Sequence, residues 1–505
     1  MELNRSSCGS NILKGILLFV LLSLLSAPTF AANYSLDIIQ PRPNLDVKNR
    51  FYKAYPGFEY NVRLGVIGGA YPYSFALTTF PQGMTIDKRG EITWPNPSES
   101  GTPYPVTATV TDSENVTKSV SWTITVTKTG FLFVDAINGK SVANGGTGTI
   151  DNPFRSMKDW YGGDVIAAKT ANTYAGDFIY WRQGTYAMDA FKEDSGLRTA
   201  FVSNNKPQVW LAYPGENPII DLAGGYICIY GGGSNTYFDG LEFNLNANAR
   251  GMGIQIDSNV NNVTFRRNIL HNLNGASTTG GNNSLIFISK GSTPGKDWVI
   301  QDNDMHDVHT GYGVLGYLVS NVLVENNVIY DIAGHPIGPK ESTTMWFIRA
   351  NHLYNNSMDS ISVQYSNGSG VNSGDIEISY NLVEAGGGQV TIDSNMTSVG
   401  GPMYMYRNTF LDKVTQNEVT STNGPFYWTD NVIVNESSSA DKITRNTIVD
   451  PTHLIISNNL VGSAADNIVD SQGYLTSNYS SYVGSRGFEI GNRPSPPTAL
   501  NVQVQ

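Results

Sequence analysis

The chain has 505 residues, 40% of them hydrophobic and only 15% charged, with 52 Gly, 23 Pro and a formal net charge of −11. Globular chains carry roughly a quarter charged residues, so this composition excludes a coiled coil and a mostly helical protein and leaves a turn-rich, all-β one. The length predicts more than one domain, and the acidic balance argues against a nucleic-acid partner.

Residues 1–31 read as a secretory signal. Arg5 and Lys14 precede the apolar run 16–22, and small residues follow, ending Thr29-Phe30-Ala31-Ala32. The run is too short to span a bilayer comfortably, and no Cys stands at the expected cleavage point after Ala31 to carry a lipid. The expected location is therefore secreted, extracellular or periplasmic. Cys8 leaves with the signal and Cys228 remains alone, so no internal disulfide is expected. No later segment is long and apolar enough to be a membrane span.

Residues 46–128 read as short strands separated by Gly and Pro turns. In Ser119-Val120-Ser121-Trp122-Thr123-Ile124-Thr125-Val126, the residues Val120, Trp122, Ile124 and Val126 share one face, the period of a half-exposed antiparallel strand. Tyr60-Asn61-Val62-Arg63-Leu64 repeats that pattern more briefly. Tyr71-Pro72-Tyr73-Ser74-Phe75, Pro81-Gln82-Gly83-Met84-Thr85-Ile86, Gly90-Glu91-Ile92-Thr93-Trp94 and Val110-Thr111-Asp112-Ser113 together resemble the bacterial Ig/cadherin-like β-sandwich. The resemblance covers about 80 residues and implies a spacer or weak binding module. Asp112 and Glu114 offer Ca²⁺ ligands, but a solvated turn explains them better.

Residues 130–485 carry a repeat. A strand-like run ending in Asn recurs with its Asn at 268, 303, 327, 351, 381, 408, 431 and 459, at spacings of 35, 24, 24, 30, 27, 23 and 28. A floor near 23 with variable excess means one coil per repeat, with insertions in the loops. Three residues after the first four Asn stand His271, His306, Tyr330 and Tyr354; one further on stand Asn272, Asp307, Asp331 and Asn355. Stacked coils bring equivalent residues about 4.8 Å apart, so such columns form ladders. This predicts structural roles for His271 and His306, while for Asp307 and Asp331 turn hydrogen bonding serves as well as a metal-ligand role. Phe131-Leu132-Phe133-Val134-Asp135-Ala136, Gly145-Gly146-Thr147 and Asn152-Pro153-Phe154 resemble the opening of secreted right-handed parallel β-helix proteins of the pectate-lyase-like kind. The expected architecture is an Ig-like sandwich followed by that helix, with a Pro-rich, linker-like tail over 486–505.

The strand after each turn carries the candidate chemistry. In Ile337-Gly338-Pro339-Lys340-Glu341 and Ile361-Ser362-Val363-Gln364-Tyr365, inward apolar residues leave Lys340, Ser362 and Gln364 facing out, with Thr391 and Asp393 one coil later. Insertions around 275–284 and 366–374 would wall this strip into a groove. His335-Pro336-Ile337-Gly338-Pro339-Lys340-Glu341-Ser342 is similar to the catalytic coil of polysaccharide lyases of the alginate lyase and chondroitinase B type. That resemblance implies that Lys340 takes the C5 proton of a uronate, with Tyr365 or His335 assisting, and that an Arg on the next coil helps at the reacting sugar. Here that position holds Gln364; Tyr365, Lys290, Arg349 or bound Ca²⁺ would have to neutralise the carboxylate instead.

Three readings follow. The favoured one is a polysaccharide lyase with Ca²⁺ as its one candidate cofactor, binding its glycan through Gln364, Ser362, Arg349, Lys290 and Asp393. A glycoside hydrolase would need two carboxylates roughly 5 to 9.5 Å apart, for which Asp393 and Glu341 are the nearest pair. The third is a non-catalytic surface or matrix protein that binds glycan and uses the sandwich as a spacer. The expected partner is a polysaccharide and the expected state a monomer.

Overall fold

The structure, a computed structural model, describes residues 33–43, 49–157, 164–165, 178–188, 198–202, 208–229, 233–245, 252–256, 259–274, 282–288, 293–364, 373–384, 390–392, 401–411, 425–434, 454–462 and 476. The expected signal (1–31) and tail (486–505) lie outside these residues, as do Lys290, Tyr365 and Asp393.

The N-terminal unit packs two antiparallel layers. Ser74–Thr79, Tyr104–Thr111 and Thr117–Val126 form one layer, joined at its edge by the parallel strand Lys53–Ala54; Tyr60–Arg63, Glu91–Trp94 and Thr85–Ile86 form the other. Asp37–Gln40 pairs with Gly65–Ile67, so a strand ahead of residue 46 belongs to this unit. Val120, Trp122, Ile124 and Val126 all point into the core, as their spacing predicts. Asp112 caps a turn: its carboxylate accepts the backbone N–H of Ala70, Glu114 and Val116. That accounts for its burial without an ion.

From Phe131–Val134 onward the strands pair in parallel and build three long sheets. Sheet A has 12 strands, from Phe131–Val134 to Leu454–Ser457; sheet B has 11, from Gly184–Ala187 to Leu460–Gly462; sheet C has 8, from Arg198–Val202 to Val390–Ile392. From Phe178–Trp181 to Val390–Ile392 each coil contributes one strand to each sheet in turn, which is a parallel β-helix. Its core is a stack of aligned side chains. In sheet A the inward column runs Ile179, Trp210, Phe238, Phe265, Ile300, Val324, Ile348, Ile378, Met405 and Trp428. No helix among the described residues is long and apolar enough to cross a membrane.

The Asn ladder turns the chain from sheet A to sheet B. The residue before each ladder Asn has positive φ, from Arg267 (53°) through Asp302 (59°) to Asn458 (55°), a bend that costs energy for a non-Gly residue. The Asn amide offsets it. Asn351 Nδ2 donates to Val324 O (2.9 Å) and to Asn381 Oδ1 (3.0 Å), while its own Oδ1 accepts from Asn327 N (3.0 Å). The same pattern links 268 to 303 and continues to 459.

Candidate functional site

The outward face of sheet C brings Lys340, Ser362 and Gln364 together, with His335 at one end of the strand. Register pairs Val314 with Ile337 and Ile361 on the inward side, and Tyr317 with Lys340 and Gln364 on the outward side. Lys340 therefore stands at the end of strand Ile337–Lys340, between a tyrosine on the coil before and an amide on the coil after. Its Nζ lies 5.5 Å from the centre of the Tyr317 ring and 6.0 Å from that of Tyr312. It also donates to Asn282 Oδ1 at 3.5 Å, an oxygen that accepts the Tyr317 hydroxyl at 2.7 Å. Asn282 is the first described residue of the insertion expected around 275–284, the rest of which, 275–281, lies outside the described residues.

Tyr312 is the floor. Its ring lies over Gly338, where any Cβ would meet Tyr312 Cε1 at 2.7 Å, so only glycine admits it. From there its hydroxyl donates to Gln364 Oε1 (3.0 Å), and Gln364 Nε2 donates to Ser362 Oγ (2.9 Å). Ser362 faces outward as its spacing predicts, but Gln364 helps bury it to 3% exposure. Phe287, 6.1 Å from Tyr317 and edge-on to it, completes an aromatic patch with Leu315 beneath. Burial pushes the Tyr317 hydroxyl far above its usual range, so it stays a neutral phenol.

His335 closes the other end of the strand. It is 9% exposed, and its ring lies 5.4 Å from that of Tyr312, tilted by 35°. Its Nδ1 makes a 2.9 Å bond with the carbonyl of Asp359, and because a carbonyl only accepts, Nδ1 carries the proton. Burial lowers its pKa below 6.5; the Asp359 contacts oppose this, and Lys340 adds to the lowering. His335 is thus a neutral imidazole near neutral pH. Glu341, the next residue after Lys340, is fully buried and not on the open strip.

Arg349 requires a correction. It lies on sheet A, not sheet C, at 1% exposure, and it faces the sandwich. Its guanidinium pairs with Glu325 Oε1 (2.7 Å), donates to Tyr73 Oη (2.5 Å) and the carbonyl of Val66, and stacks on Tyr71 and Tyr73. It is consumed by structure and unavailable to a glycan. The expected spacer is corrected with it, since the sandwich is docked along sheet A. Arg63 of the sandwich pairs with Asp302 (2.7 Å) and Glu325 (2.8 Å) of the helix, and Arg266 of the helix pairs with Glu91 of the sandwich (3.0 Å). No arginine accompanies Lys340 on strands Tyr312–Tyr317, Ile337–Lys340 and Ile361–Val363.

The histidine column of sheet B is the ladder its spacing predicts. His271 stacks on His306 at 5.1 Å, His306 on Tyr330 at 4.8 Å, and Tyr330 on Tyr354 at 4.7 Å. Donor atoms of His271, His306 and Asp307 fall within 4.8 Å of one another. The two rings, however, are only 25° from parallel, and lone pairs in parallel ring planes do not converge on one ion. Glu242 and Asp307 already bond the two rings, at 3.0 and 2.9 Å.

Sequence reasoning missed Tyr312, Asn282, Phe287 and the permissive Gly338. Tyr317 stands one coil before Lys340 in the repeat, a position its spacing marks; the lean of Tyr312 over Gly338 has no signature in the alternation.

A family profile described as "Putative Ig domain" matches residues 47–127. Nothing among curated proteins matches the chain. Among solved structures, a rhamnogalacturonan lyase is similar at 13% identity and TM-score 0.38, covering 68% of this chain and 90% of that one. Pectate lyase Pel9A is similar at 12% identity and TM-score 0.38, covering 74% and 90% respectively. Likeness at this level says nothing of activity, and the β-helix rests on the strand pairing above.

Proposed function

We propose that this chain is a carbohydrate-active protein that holds a uronate-containing polysaccharide along the outward face of sheet C and cleaves it by β-elimination. The observation that carries this reading is the juxtaposition along one strand face of the half-buried Lys340 ammonium, two buried tyrosine rings and the neutral imidazole of His335. Elimination next to a carboxylate needs a cation to steady the developing enolate and a group able to accept a proton, and the strip supplies both. Tyr312 and Tyr317, at 5% and 6% exposure, serve to hold the Lys340 ammonium from below. Gln364 stands where the resemblance implies an arginine, and its amide is engaged at both ends, which favours a second reading: a non-catalytic glycan-binding protein.

The protein, with Lys340→Ala beside it, is incubated with a panel of uronate polysaccharides, with and without Ca²⁺. Ultraviolet absorbance of the unsaturated sugar, which elimination makes and hydrolysis does not, is expected from the parent and not from a folded Lys340→Ala. Retained binding without that absorbance would favour the non-catalytic reading, and new reducing ends without it a hydrolase. We also propose that the protein is exported; N-terminal sequencing of the recovered protein is expected to begin at Ala32, and a start at Met1 would refute it.

A further inference from the structure

The strip contains two groups of opposite aptitude, and which one takes the proton is decided by their surroundings. Lys340 is surrounded by features that hold an ammonium. Its Nζ lies over two π faces, at 5.5 and 6.0 Å, and bonds a carbonyl-type oxygen of Asn282. Cation–π contact and an acceptor-only partner both favour the charged form. An ammonium is no base. His335 is arranged the other way: the Asp359 carbonyl fixes the proton on Nδ1, which leaves the Nε2 lone pair. Among the described residues that nitrogen has no hydrogen-bond partner, and it is not sealed from solvent. The remaining polar groups of the strip are accounted for, since Tyr317 donates to Asn282, Tyr312 to Gln364, and Gln364 to Ser362.

We infer that His335, through Nε2, is the base that removes the sugar proton, and that Lys340 remains the cation that receives the sugar carboxylate. This reverses the roles that the lyase resemblance implies, and it rests on the elimination reading above. In the step, the C5 proton passes to Nε2 and gives an imidazolium. The C–H electron pair enters the enolate that Lys340 steadies, then forms the C4–C5 double bond. The C4–O4 bond breaks with its pair on O4, which takes a proton from water. Nothing is oxidised or reduced, and the imidazolium returns its proton to solvent. The groups that face His335 are the Tyr312 ring, the carbonyl and carboxylate of Asp359, and Lys340.

The test uses the full chain with Lys340→Arg, Lys340→Met and His335→Asn, the last chosen because an Asn amide N–H reproduces the Nδ1 bond to Asp359. His335→Gln serves as a second variant should His335→Asn melt early. Rates are read from the unsaturated product across pH, and affinity from retardation in gels containing polyuronate. Lys340→Arg, which keeps the charge and cannot act as a base, is expected to retain binding and at least a tenth of the rate, while Lys340→Met loses binding. His335→Asn is expected to bind normally but to lose on the order of 100-fold or more in rate, within the range of a lost general base. The parent's rate is expected to rise with pH through a midpoint below 6.5, a limb that His335→Asn lacks. A Lys340→Arg as inactive as Lys340→Met, beside an active His335→Asn, would overturn the assignment and leave elimination standing. A parent that yields no unsaturated product from any polyuronate would remove the elimination reading and the assignment with it.

Discussion

Asn351 shows how single residues hold this fold. Its amide satisfies the carbonyl of Val324 and links to Asn381, while its oxygen takes the N–H of Asn327. Replacing it with Ala strands several buried polar groups at once, each worth roughly 1–3 kcal/mol. Asn351→Ala is therefore expected to lower the free energy of unfolding by about 3 kcal/mol or more, read from urea denaturation. Asn351→Asp is expected to fail too, because a carboxylate cannot donate to Val324. Gly338 acts by having no side chain. Gly338→Ala drives Tyr312 off the strand, costs roughly 1–3 kcal/mol from overpacking, and weakens polyuronate retardation through loss of the Tyr312–Gln364 bond. An unchanged affinity would show that Tyr312 plays no part in binding. The ladder was legible because identity and period recur together through eight Asn, whereas the Tyr312–Gly338 contact depends on which way one ring leans.

At the scale of elements, strand Tyr60–Arg63 is the instructive case. Its alternation predicts one wet face, yet all four residues are buried, because Asn61 and Arg63 point into the β-helix. A strand that trades water for another domain's carboxylates has the same pattern as a surface strand, so the sequence alone cannot separate them. Breaking one partner leaves a buried charge uncompensated; Arg63→Ala is expected to cost about 3–5 kcal/mol in thermal or urea melts. Glu91 makes the same contact sensitive to acid. Burial would raise its pKa, but Arg266, Arg267 and the Asn61 hydrogen bond outweigh it and hold the group at about 2. A carboxylate depressed in the folded state contributes stability above its unfolded value near 4.5, and that contribution is lost as pH falls toward 2. Glu91→Gln is thus expected to destabilise at neutral pH and to flatten the decline of the melting temperature below pH 4.5. Glu377 has the opposite sign, since burial raises its pKa and Arg349 does not fully offset this. Its ionisation costs stability as pH rises, so Glu377→Gln should stabilise the protein at neutral pH and gain nothing in acid.

For the whole molecule, the two units behave as one. The sandwich packs Tyr55 and Phe58 against Phe133 and Tyr180, and Phe51 against Tyr237, besides the ionic contacts farther along. Calorimetry is expected to give one transition rather than two, and a chain lacking residues 33–129 is expected to be insoluble, because it would uncover Phe133, Tyr180 and the paired charges of sheet A. Two resolved transitions would show the docking to be weak. The presence of both folds was readable from strand periodicity and from the Asn column. Their union was not, because it is made by residues such as Arg63 and Asp302, 239 positions apart, that carry no local pattern.

The docked sandwich also limits how the chain can vary through time. Repeat proteins ordinarily change length by duplicating or losing a coil, since each coil contacts only its neighbours. Here the N-terminal unit grips sheet A from Phe131–Val134 to Met403–Tyr406, reaching as far as the Tyr34 ring 5.5 Å from Tyr404. A coil inserted or deleted within that stretch would slide every later anchor by about 4.8 Å against a partner of fixed length. In descendants of this gene, changes in coil number should therefore accumulate beyond residue 406, while the gripped stretch keeps its count and varies only in its loops.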